Sequence, residues 1–306
     1  MTTYIVKRVL QMIPTLLGVS ILVFILIHAV PGDPARLIAG NEASEEDVAL
    51  VRERLGLNQP LHVQYGSYVA HLLRGDLGTS LRSERPVLQE ILTRFPTTVL
   101  LTVMAILIMI VVGLFAGILS ATKPNSIRDN TAMMFSLFGI SMPIFWLGLM
   151  LILIFSYYLR LLPSGGSDGL KYFILPAIAV GLSSSAILAR LTRSSVLEVI
   201  HQDFIRTARA KGVKEKLVIY KHVLKNAMIP IITIIGLEFG SLLGGAVIAE
   251  TVFSMNGLGR YVIQSIQYRD YPAIQGTVLF IAALFVIVNL IVDLCYSLVD
   301  PRVKYE

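Results

Sequence analysis

Six stretches of this chain are apolar over lengths close to or above that of a membrane-crossing helix. They lie at residues 9–30, 97–121, 131–159, 173–189, 228–249 and 276–299. About 20 mostly apolar residues are needed to cross a bilayer as helix. Only 15% of the 306 residues are charged and 55% are hydrophobic, whereas soluble domains carry about 25% charged residues. The fold class that follows is an all-α membrane protein with six transmembrane helices. The fourth run is the weakest, because Ser183, Ser184 and Ser185 lower its hydropathy. It is expected to face protein or a water-filled path rather than lipid. The first run follows Lys7 and Arg8, as a signal peptide would. It is longer than the ~7–15-residue apolar core of such a leader and no A-x-A site follows it, so it reads as an uncleaved first span. Pro14, Pro143, Pro176 and Pro230 sit within or at the starts of runs, where neighbouring helices satisfy the freed backbone groups.

Lysine and arginine set the orientation, because short cytoplasmic loops are enriched in them. On one side lie Lys7, Arg8, Lys123, Arg128, nine residues between Arg190 and Lys225, Arg302 and Lys304, fifteen in all. The short loops of the other side hold four: Arg160, Lys171, Arg260 and Arg269. Both termini are therefore expected in the cytoplasm and residues 31–96 outside. This asymmetry also accounts for the net charge of +6 without nucleic acid. Cys295 is the single cysteine, which excludes an intrachain disulfide or a cysteine-based metal cluster.

The outer segment has structure of its own. "PGDP" at residues 31–34 is turn chemistry. "SEEDVALVRERLGL" reads as a short helix capped by Ser44 and stopped at Gly56, and "QPLHVQYGSYVAHLLRGDLGTS" reads as a second amphipathic helix ending at Gly75. Residues 1–94 are thus read as the first span plus an extracytoplasmic cap, and 95–306 as the transmembrane core.

No G-x-x-x-x-G-K-[ST], H-E-x-x-H, C-x-x-C or G-x-S-x-G occurs, so the chain offers no P-loop, zincin, redox or hydrolase signature. Ionisable residues inside the runs are functional candidates by default. They are Glu238, Asp293 and His28. Glu238 is either a carboxyl hydrogen-bonded to a neighbouring helix or a group facing a translocation path. Gly236, Gly240 and Gly244 make a small-residue stripe along the same run, which lets another helix approach closely.

Between the fourth and fifth runs lies "QDFIRTARAKGVKEKLVIYKHVLKNAMIP", residues 202–230. The apolar spacing predicts helix over 193–209, a break at Gly212 and helix again over 215–226. Thr207, Ala208 and Ala210 keep the bend small. The insert is either a helix held at anionic lipid headgroups or a knuckle that docks into another protein.

Here the chain resembles a known family. Its "RTARAKGV" and "HVLKNAMIPI", with "PGDPA", "LGLNQPLHVQY", "RGDLGTS", "ETVFSMNGLGR" and "RDYP", are similar to the first permease subunit of bacterial dipeptide, oligopeptide, glutathione and nickel ABC importers. The motifs run nearly end to end in the expected order. Against the general E-A-A-x-x-x-G-x(9)-I-x-L-P loop of such permeases, Ala208, Gly212 and Leu224 match, while Arg206, Thr207, His222 and Lys225 replace its Glu, first Ala, Ile and Pro. The resemblance implies the type I importer fold, a second homologous permease, two ATPase subunits that bind ATP and Mg, an external binding protein, and no cofactor in this chain. It implies a bacterial inner-membrane location. It makes loop 190–227 the coupling loop, with Asp203, Arg206, Thr207, Ala208, Ala210 and Gly212 as the ATPase-coupling residues. Glu238 and Ser241 are candidates for the substrate path. Two rivals stay open from the residues alone. One is a proton-driven secondary transporter using Glu238 and Asp293, although the inverted repeat expected of many such folds is not evident. The other is a non-transporting membrane anchor. An intramembrane enzyme lacks a recognisable nucleophile–base pair.

Overall fold

The third apolar run does not form one straight helix. Met142 is extended and Pro143 follows it with φ −61° and ψ 133°. Proline disfavours the helical region for the residue before it, so the run divides into Ile127–Ser141 and a second limb, Ile144–Tyr158, bent from the first by 101°. The second limb passes from α-helix at Ile144–Leu151 into a π-helical turn at Ile152–Tyr158.

The structure is a computed structural model. It describes residues 2–29, 34–39, 43–54, 56–244 and 246–299, with the side chains of 2–9, 26, 27, 29, 34, 37, 38, 54 and 293–299 outside the description. The turn expected at residues 31–33 and the side chain of Asp293 lie outside the described residues. Every regular element described is a helix: α1 (Thr2–Ala29), α2 (Pro34–Ala39), α3 (Glu45–Arg54), α4 (Leu61–Leu73), α5 (Val87–Thr122), α6 (Ile127–Ser141), α7 (Ile144–Leu151), α8 (Leu170–Ile200), α9 (Asp203–Ala210), α10 (Glu215–Leu217), α11 (Leu224–Leu243), α12 (Val247–Val252), α13 (Leu258–Gln267) and α14 (Tyr271–Val299). Four stretches are long and apolar enough to cross a membrane: Val87–Thr122, Leu170–Ile200, Glu215–Leu243 and Tyr271–Val292. The bent α6–α7 pair makes a fifth when taken as one span. From the first run the described residues contribute Leu10–Ile25, an apolar helix below span length. The chain is thus an all-helical membrane protein with four to five spans by length and composition.

The chain divides into two compact units. One comprises Met1–Tyr4, Phe95–Arg260 and Leu284–Glu306. Helix α8 is its centre, packed against α6, α7 and α11. The serine-weakened run is accordingly the most enclosed, with 61% of its apolar window buried against 22–33% in the other three spans. Close approach to α5 is enforced at Gly117, where a Cβ would stand 2.6 Å from Thr192 and 2.7 Å from the Ala189 carbonyl. On α11, Gly236 faces Val292 of α14 and Gly240 faces Phe285 and Val288. That part of the stripe serves helix packing. Gly244 is instead the C-cap of α11.

The other unit comprises Ile5–Arg94 and Tyr261–Ala283. Ser44 caps α3 by accepting the Asp47 N–H at 3.2 Å. Gly56 and Gly75 end α3 and α4 with φ +67° and +76°. Helix α1 holds α4 through Ser20 and the Tyr65 hydroxyl at 2.8 Å, and through the His28 ring and Gln64 at 3.2 Å. His28 is a structural bridge, with its other ring nitrogen 2.8 Å from the Phe24 carbonyl.

Candidate functional site

The basic insert folds as a knuckle with two distinct faces. The spacing predicts one helix over 193–209, but α8 stops at Ile200 and Gln202 is extended (φ −73°, ψ 152°) before α9 begins. His201 and Gln202 therefore make a corner inside the predicted helix. The corner turns Ile205 inward, fully buried among Val196, Val199, Val218, Ile219 and Val223. Ala208 is buried on the same face, whereas Asp203, Arg206, Thr207 and Ala210 are exposed. The small residues thus divide between the two faces, with Ala208 against the protein's own core.

Gly212 ends the knuckle helix. Its φ is +76°, and its N–H donates to the Arg209 carbonyl at 2.9 Å while the Val213 N–H donates to the Ala208 carbonyl at 3.3 Å. This pair of bonds is a Schellman cap, for which glycine is preferred because the left-handed conformation carries no Cβ penalty. Across the turn, the Arg209 guanidinium donates to both Glu215 carboxylate oxygens at 2.7 and 3.1 Å. Arg206 has no comparable tie. Its side chain is 76% exposed, and its nearest carboxylate, on Asp203, is 3.8 Å away. Such a contact in water contributes little, so the Arg206 guanidinium is left mainly to solvent.

Glu238 is half-buried on α11 and accepts the Ser184 hydroxyl of α8 at 2.9 Å. The serine triplet and the intramembrane carboxylate therefore meet. Ser241 is exposed on α11, three residues on. Among the described residues no group of three or more His, Cys, Asp or Glu side chains is arranged to hold a metal.

Three carboxylates that the reading of the runs passed over are the most firmly held. Glu250 of α12 is fully buried. It accepts the Thr98 hydroxyl at 2.7 Å and the Arg260 N–H at 2.9 Å, and Thr98 in turn accepts the Leu258 N–H at 2.9 Å. Gly257 and Gly259 lie against its carboxylate. Burial pushes the carboxyl up from its ordinary value, against the opposing pull of these donors. Asp270, also buried, accepts the Ser80 hydroxyl and the Leu81 N–H. Asp129, at the start of α6, accepts both N–H donors of the Nε–Nη2 edge of the Arg193 guanidinium. Each stands just outside an apolar run, so a search for ionisable residues within runs misses it. A signal was present in the motifs: "ETVFSMNGLGR" begins with Glu250, "RDYP" contains Asp270 and "RGDLGTS" ends with Ser80.

Comparison with known proteins agrees along the whole chain. Residues 1–102 match the family described as "Binding-prot-dependent transport system membrane comp, N-term". The chain is 47% identical to the dipeptide transport system permease protein DppB of Alkalihalophilus pseudofirmus, covering 100% of both. It is likewise 47% identical, over 100% of both, to the glutathione transport system permease protein GsiC of Salmonella choleraesuis. Among solved structures, a chain of the MetNI methionine ABC transporter in inward facing conformations superposes with a TM-score of 0.58 at 19% identity, over 69% of this chain and 97% of that one. At that identity the likeness shows the fold. Residues 110–305 match the family described as "Binding-protein-dependent transport system inner membrane component", and the chain belongs to that family.

Proposed function

We propose that this chain is one of two homologous permease subunits of a bacterial ABC importer for short peptides, and that it forms half of the translocation pathway. Family membership makes it a multi-pass permease component, not itself the ATPase, with no cofactor of its own. The observation that carries the substrate class is the full-length 47% identity to relatives named for dipeptide and for glutathione transport. Those two cargoes share a short amide backbone with free amino and carboxylate ends.

In this reading α1 is the sixth span, both termini are cytoplasmic, and an external binding protein delivers substrate on the side of residues 31–96. Two ATPase subunits bind ATP and Mg and receive the knuckle. The exposed set Asp203, Arg206, Thr207 and Ala210 meets the ATPase, while Ala208 and Gly212 hold the knuckle in shape. Glu238 and Ser241 face the pathway, where the Ser184 bond orients the carboxylate. The exposed Arg206 supports a partner surface that offers acids or backbone carbonyls.

Deletion of this chain followed by uptake of labelled dipeptide, glutathione and nickel tests the proposal. Loss of dipeptide uptake is expected. Intact dipeptide uptake with loss of another cargo would replace the substrate class. Uptake that persists without the ATPase subunits and collapses with the proton gradient would favour a secondary transporter.

A further inference from the structure

Helix α8 leads directly into the knuckle, ending at Ile200 three residues before α9 begins. Two turns before that end, Arg193 donates from Nε to Asp129 Oδ1 and from Nη2 to Oδ2, both at 2.8 Å. A two-pronged contact of this kind fixes orientation as well as distance. Asp129 is held from its other sides too. The Ser120 hydroxyl of α5 donates to Oδ1, and the Asn125 N–H donates to Oδ2 at 2.8 Å. Asn125 sits in the left-handed region (φ +60°), a conformation that asparagine tolerates better than most residues. Ser126 caps α6 by accepting the Asp129 N–H at 3.3 Å. A single buried carboxylate thus ties together the ends of α5, α6 and α8. The close contact of Gly117 with Thr192 and Ala189 lies about one turn away on the α5–α8 seam. On its other side the knuckle joins α11 through a π-helical turn, Val218–Val223.

We infer that the Arg193–Asp129 fork is a positioning element that makes α5, α6 and α8 move as one body when the knuckle is displaced. The inference rests on the knuckle being the contact with the ATPase. Packed networks transmit displacement because they have discrete arrangements. Without the fork, α8 slides past α6 while the knuckle still docks, and ATP hydrolysis separates from substrate movement. A fork that only stabilised the α5–α6 turn would alter thermal stability and leave the coupling ratio unchanged.

The test uses the complete complex, with its ATPase and binding-protein subunits, in liposomes. Asp129→Asn and Arg193→Gln are expected to retain the ATPase subunits and their hydrolysis, while substrate moved per ATP falls about fivefold or more. Arg193→Lys, which keeps the charge without the fork, is expected to fall between them and wild type. A second measurement does not depend on these variants folding. Spin labels at Ile127→Cys and Arg190→Cys, with Cys295→Ser, report the α6–α8 distance. It is expected to hold within about 2 Å between resting and nucleotide-trapped complexes, the scale of a small helix shift. A larger change overturns the inference, as does wild-type stoichiometry in a folded Asp129→Asn complex. If Arg206→Glu and Gly212→Val leave ATPase retention and uptake untouched, the knuckle reading itself fails. If those two matter and Asp129→Asn does not, the fork inference alone fails.

Discussion

The Ser80 hydroxyl donates to Asp270 Oδ2 at 2.5 Å, joining positions 190 residues apart in the chain. The same carboxylate accepts the Leu81 N–H at 3.1 Å and the Ala273 N–H at 3.3 Å. Ser80 Oγ accepts the Ser83 N–H at 3.1 Å. Two short motifs with no local relationship thereby become one structure.

Ser80→Ala leaves a buried carboxylate short of one donor, which costs about 1–3 kcal/mol. Asp270→Ala removes the acceptor for several donors and is expected to cost more. Because the two changes break the same bond, the double variant should be less destabilised than the sum of the singles. Thermal unfolding of the purified permease complex in detergent measures all three. Strict additivity would show that the bond contributes nothing.

Glu250 makes a pH-dependent prediction. Its carboxyl is pushed above its ordinary value of 4.5, chiefly by burial. A raised carboxyl pKa contributes stability that is complete below 4.5 and is lost as pH rises through the folded-state value. Glu250→Gln keeps a neutral acceptor for Thr98 and the Arg260 N–H, so it should remove this fall on the rising limb. Glu250→Ala strands both donors, at about 1–3 kcal/mol each. Melting temperature followed from pH 4 upward in wild type and both variants separates these outcomes.

At Gly212 an added Cβ would meet no atom within 4 Å, so a substitution there is opposed by φ +76° alone. Gly212→Asn should be tolerated better than Gly212→Ala, and Gly212→Val least, in line with the left-handed penalty of about 1–2 kcal/mol for L-residues. Uptake and retention of the ATPase subunits are expected to fall in that order. Equal activity in all three would remove the Schellman cap from any role in coupling.

Arg206 and Ile205 are neighbours with opposite roles. Ile205 is fully buried, and Ile205→Ala is expected to cost about 2–5 kcal/mol of stability. Arg206 is exposed, so Arg206→Glu should leave stability within about 0.5 kcal/mol. It is expected to weaken retention of the ATPase subunits. Unchanged co-purification would show that Arg206 does not lie at that contact.

The membrane character, the helical class and the enclosed fourth run were legible in the residues, because crossing a bilayer is a requirement each run meets by itself. The bend at Pro143 was legible only as a proline inside a run. Whether such a proline is absorbed or breaks the helix depends on what packs around it. The corner at His201 and Gln202 left no trace in the 3.6-residue spacing, because the apolar positions on both sides of it still serve one buried cluster.

Sequence by itself determined the membrane-crossing character, the basic insert and its glycine stop, since each follows from local hydropathy, charge or backbone freedom. Tertiary structure alone decided which polar groups meet. Glu238 pairs with Ser184, Glu250 with Thr98, Asp270 with Ser80 and Asp129 with Arg193, across 54, 152, 190 and 64 residues. A buried carboxylate must find donors somewhere. Which donors it finds is set by how the helices pack, and no local pattern in the chain encodes that choice.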